Sequence, residues 1–442
     1  MKSIFHQRDW AGLDDEELVR RTSPSAIHWD LRIGDSSAFM LVTREVSSLI
    51  ERILMFEPRI RHHWDRLPGR AQSDYLAQMI VDEIQATNEI EQIRSTRKEI
   101  GDALTALREE EPTGGKRFTE MVRLYLDIGN ADARAPQTLD DLRRVYDAVT
   151  AGEIDEDAAP DGMRFRAGPV TIESGTKVAH RGIVPESAID EALTVMISQA
   201  RDVEIPRLLR AVVAHFIFEF AHPFYDGNGR TGRYLLALDL RDVLAPYSSL
   251  ALSATIADNK DRYYRAFADA EEPLNRGDLT VFVTSLLEII AEAQHRLLAD
   301  LADRAQRIEA LNERIHAFVS DGPQGSPRFD SAKGRPFDLT DIGDLLFILG
   351  QAWLFDVNRA VKLQSLVHTT GRSVQFVRPR VQALIDAGLV EVVTQKPLRF
   401  RVTHAGAELL GIGREGSRPT AAENGGTAVS APPAPSRSAR SR

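Results

Sequence analysis

Twelve consecutive residues, His222-Pro223-Phe224-Tyr225-Asp226-Gly227-Asn228-Gly229-Arg230-Thr231-Gly232-Arg233, constrain this chain more than any other stretch. An apolar run from Leu208 to Ala221 leads into them, and a second from Tyr234 to Leu244 follows. The pattern predicts a polar, glycine-bent loop between two buried helices, the second starting near Arg230. Unpaired N–H groups and the helix dipole favour anions at such a helix N-terminus. Gly227 and Gly229 let the backbone turn tightly and approach a ligand with no Cβ in the way. Arg230 and Arg233 are three apart, so their guanidinium forks share one helical face and suit a polyphosphate.

The other side chains add chemistry. His222 can take a proton from an attacking hydroxyl near neutral pH. Asp226 offers hard oxygens suited to Mg²⁺ bridging phosphates. Asn228 can donate to a phosphate oxygen, and Pro223 and Phe224 fix the loop against the core. A lone His-Pro-Phe or Gly-Asn-Gly would be an ordinary turn; nine specified positions at fixed spacing are not.

The stretch resembles the signature of Fic-domain proteins, His-Pro-Phe-x-(Asp/Glu)-Gly-Asn-Gly-Arg-x-x-Arg, without a departure. That family mostly transfers AMP from ATP to a hydroxyl of a target protein. The resemblance implies ATP and Mg²⁺, with His222 as general base and Asp226 as metal ligand. It implies nucleotide contacts from Phe224, Gly227, Asn228, Gly229, Arg230 and Arg233. Both glycines of the loop point to the AMP-transferring branch; the phosphate-transferring branch carries a bulkier, basic residue in place of the second.

Further upstream, Thr87 and Glu91 match the (Ser/Thr)-x-x-x-Glu-(Gly/Asn) inhibitory motif of many Fic proteins, with Gln92 in place of the Gly or Asn. The implied role of Glu91 is to pair with Arg233, removing the γ-phosphate's cation and adding a charge where that phosphate would sit. Without the family, this is an ordinary stretch with Ile90 and Ile93 turned to a core. A hairpin is expected over about 169–184, from the β-formers Val170, Thr171 and Ile172 and a turn at Gly175. By the resemblance it is a flap that grips the target segment by strand addition. Tyr263 and Tyr264 sit on a helix that, in the family, closes the adenine pocket; His215 reads as a satisfied core histidine.

The 442 residues allow several domains, with a net charge of −10 and no cysteine, so disulfides and thiolate chemistry are excluded. No membrane partner is expected, and with no apolar signal core the expected location is cytoplasmic. Residues 1–35 resist placement, 37–101 read as helical, and the acidic stretch Glu153 to Asp161 reads as a solvated loop. The fold class is mainly α: a Fic helical core with a small β-hairpin flap, plus a C-terminal winged helix-turn-helix domain. The expected domains are 1–105, helical with the inhibitory motif; 106–319, the Fic catalytic core; 320–336, a linker; 337–411, the winged helix; and 412–442, a disordered tail. Arg372, Arg378, Arg380, Lys396, Arg399 and Arg401 could face DNA phosphates through residues 359–402, although Pro379 is awkward in a recognition helix. A protein-docking or homodimer-forming wing competes with DNA binding there, and the second reading of the whole chain is a DNA-binding regulator that uses the winged helix, with the Fic core as nucleotide sensor. Removal of AMP, with Glu91 orienting water, is a third reading drawn from the family.

Overall fold

The computed structural model describes residues 3–4, 12–108, 117–174, 177–321, 329–330 and 334–413, with backbone alone at 172–174, 177–179 and 321. Residues 109–116, the flap turn at Gly175, most of the expected linker and residues 414–442 of the tail lie outside the described residues.

Helix α1 (Leu13–Arg21) precedes a hairpin of β1 (Ala26–Ile33) and β2 (Ser36–Leu41). Next come α2 (Arg44–Asp65), α3 (Gly69–Ile90), α4 (Arg97–Arg108), α5 (Thr119–Gly129) and α6 (Leu139–Val149). A second hairpin, β3 (Thr171–Ser174) and β4 (Lys177–Arg181), leads to α7 (Glu186–Gln199), α8 (Arg207–Ala221) and α9 (Asn228–Leu240). Short α10 (Pro246–Ser249) and α11 (Leu252–Asp258) precede α12 (Lys260–Glu271) and the long α13 (Thr280–Asp321). The last elements are α14 (Leu339–Phe355), β5 (Val361–Lys362), α15 (Leu363–Thr370), α16 (Val374–Asp386), β6 (Val390–Gln395), β7 (Leu398–Val402) and α17 (His404–Leu409). The fold is mainly helical with small antiparallel sheets, as the sequence predicts.

The first hairpin corrects two expectations. Trp29, Leu31 and Ile33 are buried while His28, Asp30 and Arg32 are exposed, the period-two pattern of a half-buried strand. Gly34, at φ +59°, and Asp35 make the two-residue turn, with Ile33 opposite Ser36. So residues 26–33 are placed, and 36–41 are strand rather than helix. Thr43 then caps α2, its Oγ accepting from Val46 N at 3.2 Å. Helix α13 runs for 42 residues, to Asp321.

Two packings position the site. Helices α8 and α9 lie side by side, and nearly every residue of both is buried, so the loop between them is held at both ends. Helix α3 packs its C-terminal part toward α9 and its N-terminal part against α14. Tyr75 of α3 bonds through its hydroxyl to Asp300 of α13 and packs edge-on to Phe355 of α14. The Arg304 guanidinium lies 4.5 Å from the Tyr75 ring centroid and donates to Leu354 O at 2.8 Å. One helix therefore joins the centre of the molecule to its C-terminal elements. These are α14 to α17 around a sheet of order β5-β7-β6. Pro379 lies inside α16, which nevertheless starts at Val374.

Arg166 is fully buried and, among the described residues, has no carboxylate partner; it donates to carbonyls instead. These belong to His222 at 2.7 Å, Gly168 at 2.6 Å, Ile183 at 2.8 Å and Ala221 at 3.2 Å. The cation thus answers the C-terminal carbonyls of α8 and ties the base of the second hairpin to His222. Burial holds its pKa below the ordinary arginine value. Replacing Arg166 by Met keeps the volume and strands these carbonyls. The expected cost is about 2–4 kcal/mol in urea unfolding. An unchanged midpoint would refute the tie.

Candidate active site

His222 is the C-cap of α8, with φ +48°, and its ring is buried under the second hairpin. Burial, helped by His180 and Arg166, lowers its pKa to about 3, so the imidazole is neutral at physiological pH. Its Nδ1 has no hydrogen-bond partner among the described residues. The His180 ring, on β4, stands 5.5 Å from it, and His180 Nδ1 lies 2.6 Å from Glu271 Oε2 on α12. That pair fastens the hairpin to α12. Sequence reasoning missed it, because nothing local links positions 180 and 271.

The loop is built as its composition requires. Gly227 has φ +81°, and a Cβ there would meet the Thr150 methyl at 2.5 Å. Phe224 stacks on Tyr146 with ring centroids 3.5 Å apart and has no exposed surface, so it anchors the loop in the core. Asn228 opens α9; its Oδ1 accepts from Phe224 N at 2.9 Å and its Nδ2 donates to Phe224 O at 2.8 Å. The side chain assigned to a phosphate thus staples the loop first, because it is buried and its polar atoms need partners. Asp226 is exposed, with one oxygen accepting from Gly227 N at 2.6 Å.

Arg233 is buried between α9 and the end of α3. Its Nε donates to Thr87 Oγ1 at 2.7 Å, and its Nη2 donates to Thr87 O at 3.1 Å and to Glu91 Oε1 at 2.7 Å. Burial opposes its charge, but Glu91, Tyr263 and Glu219 together more than offset this and the pKa rises. Gly229 lies directly beneath: a methyl there would overlap the Glu91 carboxylate. The missing Cβ that could admit a phosphate thus accommodates a carboxylate. Gln92, the one departure from the motif, has φ +59°, the left-handed conformation that Gly or Asn adopts most easily after a helix.

Arg230 is equally buried, and its Nη1 pairs with Glu153. The acidic stretch from Glu153 is therefore not simply a solvated loop, for its first residue is enclosed. Two more buried carboxyls surround Arg233. Burial raises Glu219 to about 8, and Glu83, which accepts from Ser253 N and Oγ, to about 7. His215 is the satisfied core histidine the sequence suggests: Nδ1 lies 3.1 Å from Gly232 O and Nε2 2.7 Å from the Tyr263 hydroxyl. Tyr263 is accordingly buried and turned inward, and the exposed ring is that of Tyr264, with Lys260 Nζ 5.7 Å from its centroid. Val170 and Thr171 stand at the start of the second hairpin; the side chain of Ile172 lies outside the described residues.

The C-terminal cations are partly engaged within the chain. Arg380 pairs with Asp341 at 2.8 Å and lies 3.4 Å from the Phe376 ring centroid, and Arg401 pairs with Glu391 at 2.5 Å. Among the described residues no His, Asp or Glu side chains gather in threes as a metal cage, and no helix is long and apolar enough to cross a membrane.

Three solved structures are similar to this chain. A solved Fic family protein from Desulfovibrio desulfuricans is 21% identical, covers 82% of this chain and 97% of its own, and superposes with a TM-score of 0.47. A fragment of Fic-1 from C. elegans is 22% identical over 58% of this chain and 74% of its own, with a TM-score of 0.39. A Fic domain containing signaling protein from Bacteroides thetaiotaomicron is 13% identical over 59% and 97%, with a TM-score of 0.38. Residues 136–240, from the loop before α6 to the end of α9, match the model of the Fic/DOC family, and the chain carries a domain of that family there.

Proposed function

We propose that this protein transfers AMP from ATP to a Ser, Thr or Tyr hydroxyl of a target protein, and that Glu91 holds it in an inhibited state. The carrying observation is the Glu91–Arg233 ion pair lying over Gly229, close to the N-terminus of α9. A site made to hold phosphate there is filled by the chain's own carboxylate.

The target hydroxyl would lie under the second hairpin, beside His222. Neutral His222 takes its proton as the oxygen bonds to the α-phosphorus. The bond to the bridging oxygen breaks, and pyrophosphate leaves with its charge held by Arg230 and Arg233. Asp226, an exposed lone carboxylate, fits Mg²⁺, which commonly binds through one or two carboxylates and substrate phosphates. Bound there, the metal would neutralise phosphate charge. Tyr264 is the better placed of the two tyrosines to border the base. With Glu91 in place, triphosphate lacks one cation and meets a negative charge, so in-line positioning is lost.

We read residues 1–105 as the inhibitory region, 106–319 as the catalytic core, 320–336 as a linker and 337–411 as a winged-helix docking module. The internal pairing of Arg380 and Arg401 favours a protein or a second copy of the chain over DNA as its partner.

Label transfer from α-labelled ATP with Mg²⁺ tests the main reading. Glu91→Gly should raise self-labelling or lysate labelling at least about tenfold, and adding His222→Ala should lower it by about 10²–10⁴. Equal labelling of the single and double variants would sink the mechanism. The depressed pKa of His222 gives a second test. Its base form persists well below pH 6.5, so kcat/KM of Glu91→Gly should change less than about twofold between pH 6 and 8. An acid limb near 6.5 would contradict a buried, neutral base.

A further inference from the structure

Both arginines of the loop, and not Arg233 alone, face a carboxylate. Glu153 sits at the turn after α6, where its N–H bonds to Thr150 O at 3.0 Å, and its side chain is buried. Its Oε2 takes Arg230 Nη1. Its Oε1 accepts from Arg117 Nε at 2.7 Å. Arg117 is half-exposed, lies over the Phe118 ring, and donates through Nη1 to Arg94 O at 2.7 Å. Arg94 is three residues beyond Glu91, in the segment that follows α3. A continuous path therefore runs Arg230, Glu153, Arg117, Arg94, Glu91, Arg233.

Resting on the reading of this site as a nucleotide transferase, we infer that Glu153 is a second inhibitory carboxylate, occupying at Arg230 the place of a nucleotide phosphate, and that Arg117 links it to the segment carrying Glu91. Arg230 is set for such a ligand rather than for a fixed structural pair. It is almost wholly buried, yet its Nε has no acceptor among the described residues. A buried guanidinium with an unused donor can take a second anionic oxygen. With both pairs made, the two cations are neutralised and an incoming polyphosphate must displace two carboxylates. The shared contact at Arg94 makes the displacements cooperative: loosening the segment after α3 withdraws Glu91 and frees Arg117, which then holds Glu153 less firmly. Neither motif logic nor spacing points to Glu153, which lies 77 positions from Arg230.

The experiment is calorimetric binding of inorganic tripolyphosphate and of ATP–Mg²⁺ to the full chain, comparing wild type, Glu91→Gly, Glu153→Gln and the double variant. Removing the Glu153 charge should tighten tripolyphosphate about tenfold, and the gain from Glu91→Gly should be smaller when Glu153 is already neutral. Glu153→Gln leaves Arg230 buried without its counter-charge; if it does not fold, Glu153→Asp keeps the charge, shortens its reach and should give an intermediate gain. Unchanged or weaker tripolyphosphate binding in a folded variant would overturn the inference and make Glu153 a positioning group for Arg230. Purely additive gains would overturn the link through Arg117. Failure of the transferase reading looks different: no variant labels protein, while the binding gains persist.

Discussion

Most of what is unusual here follows from burying the Arg233 guanidinium. A cation taken out of water must find a counter-charge and fill its donors, or it destabilises the fold. Thr87 on α3 and Glu91 at its C-cap, one turn further on, supply both. The pair therefore fixes where α3 ends relative to α9. Its neighbours Glu219 and Glu83 carry raised pKa values because burial outweighs the attraction of the Arg233 cation. Low local dielectric strengthens whatever anion sits on Arg233. The same burial that would suit a phosphate clamp thus makes a carboxylate an effective occupant, so the clamp and the inhibitor proposed here would share one physical cause.

Much of the site was legible because its residues are contiguous. The loop from His222 to Arg233 lies between two apolar runs, and helical geometry places Arg230 and Arg233 together without long-range information. Glu91 was legible through a motif, and the motif's one mismatch now has a reason. Position 92 is the left-handed residue after a helix, so the preference there concerns backbone conformation rather than chemistry. Arg166, His180, Glu271 and Glu153 were not legible. Each acts on a partner 50 or more positions away, through carbonyls or carboxylates that carry no periodic signal. The first hairpin was missed for a different reason. Its alternation spans only six residues, and the short strand β2 sits beside a strong helical pattern, where local periodicity cannot place the boundary.

The strain at Gln92 bears on how firmly the Glu91–Arg233 contact is held. A side chain in the left-handed region costs about 1 kcal/mol that glycine would not incur. Here that cost falls on the residue directly after Glu91. It is borne while Glu91 stays on Arg233 and can relax when the helix end frays, so it opposes the ion pair. At the other end of α3 the anchor is firm: Tyr75, Arg304 and Phe355 lock the helix to α14. Of the two ends of α3, the one that bears this strain is the one that carries Glu91, so the ion pair sits where the helix is held less firmly.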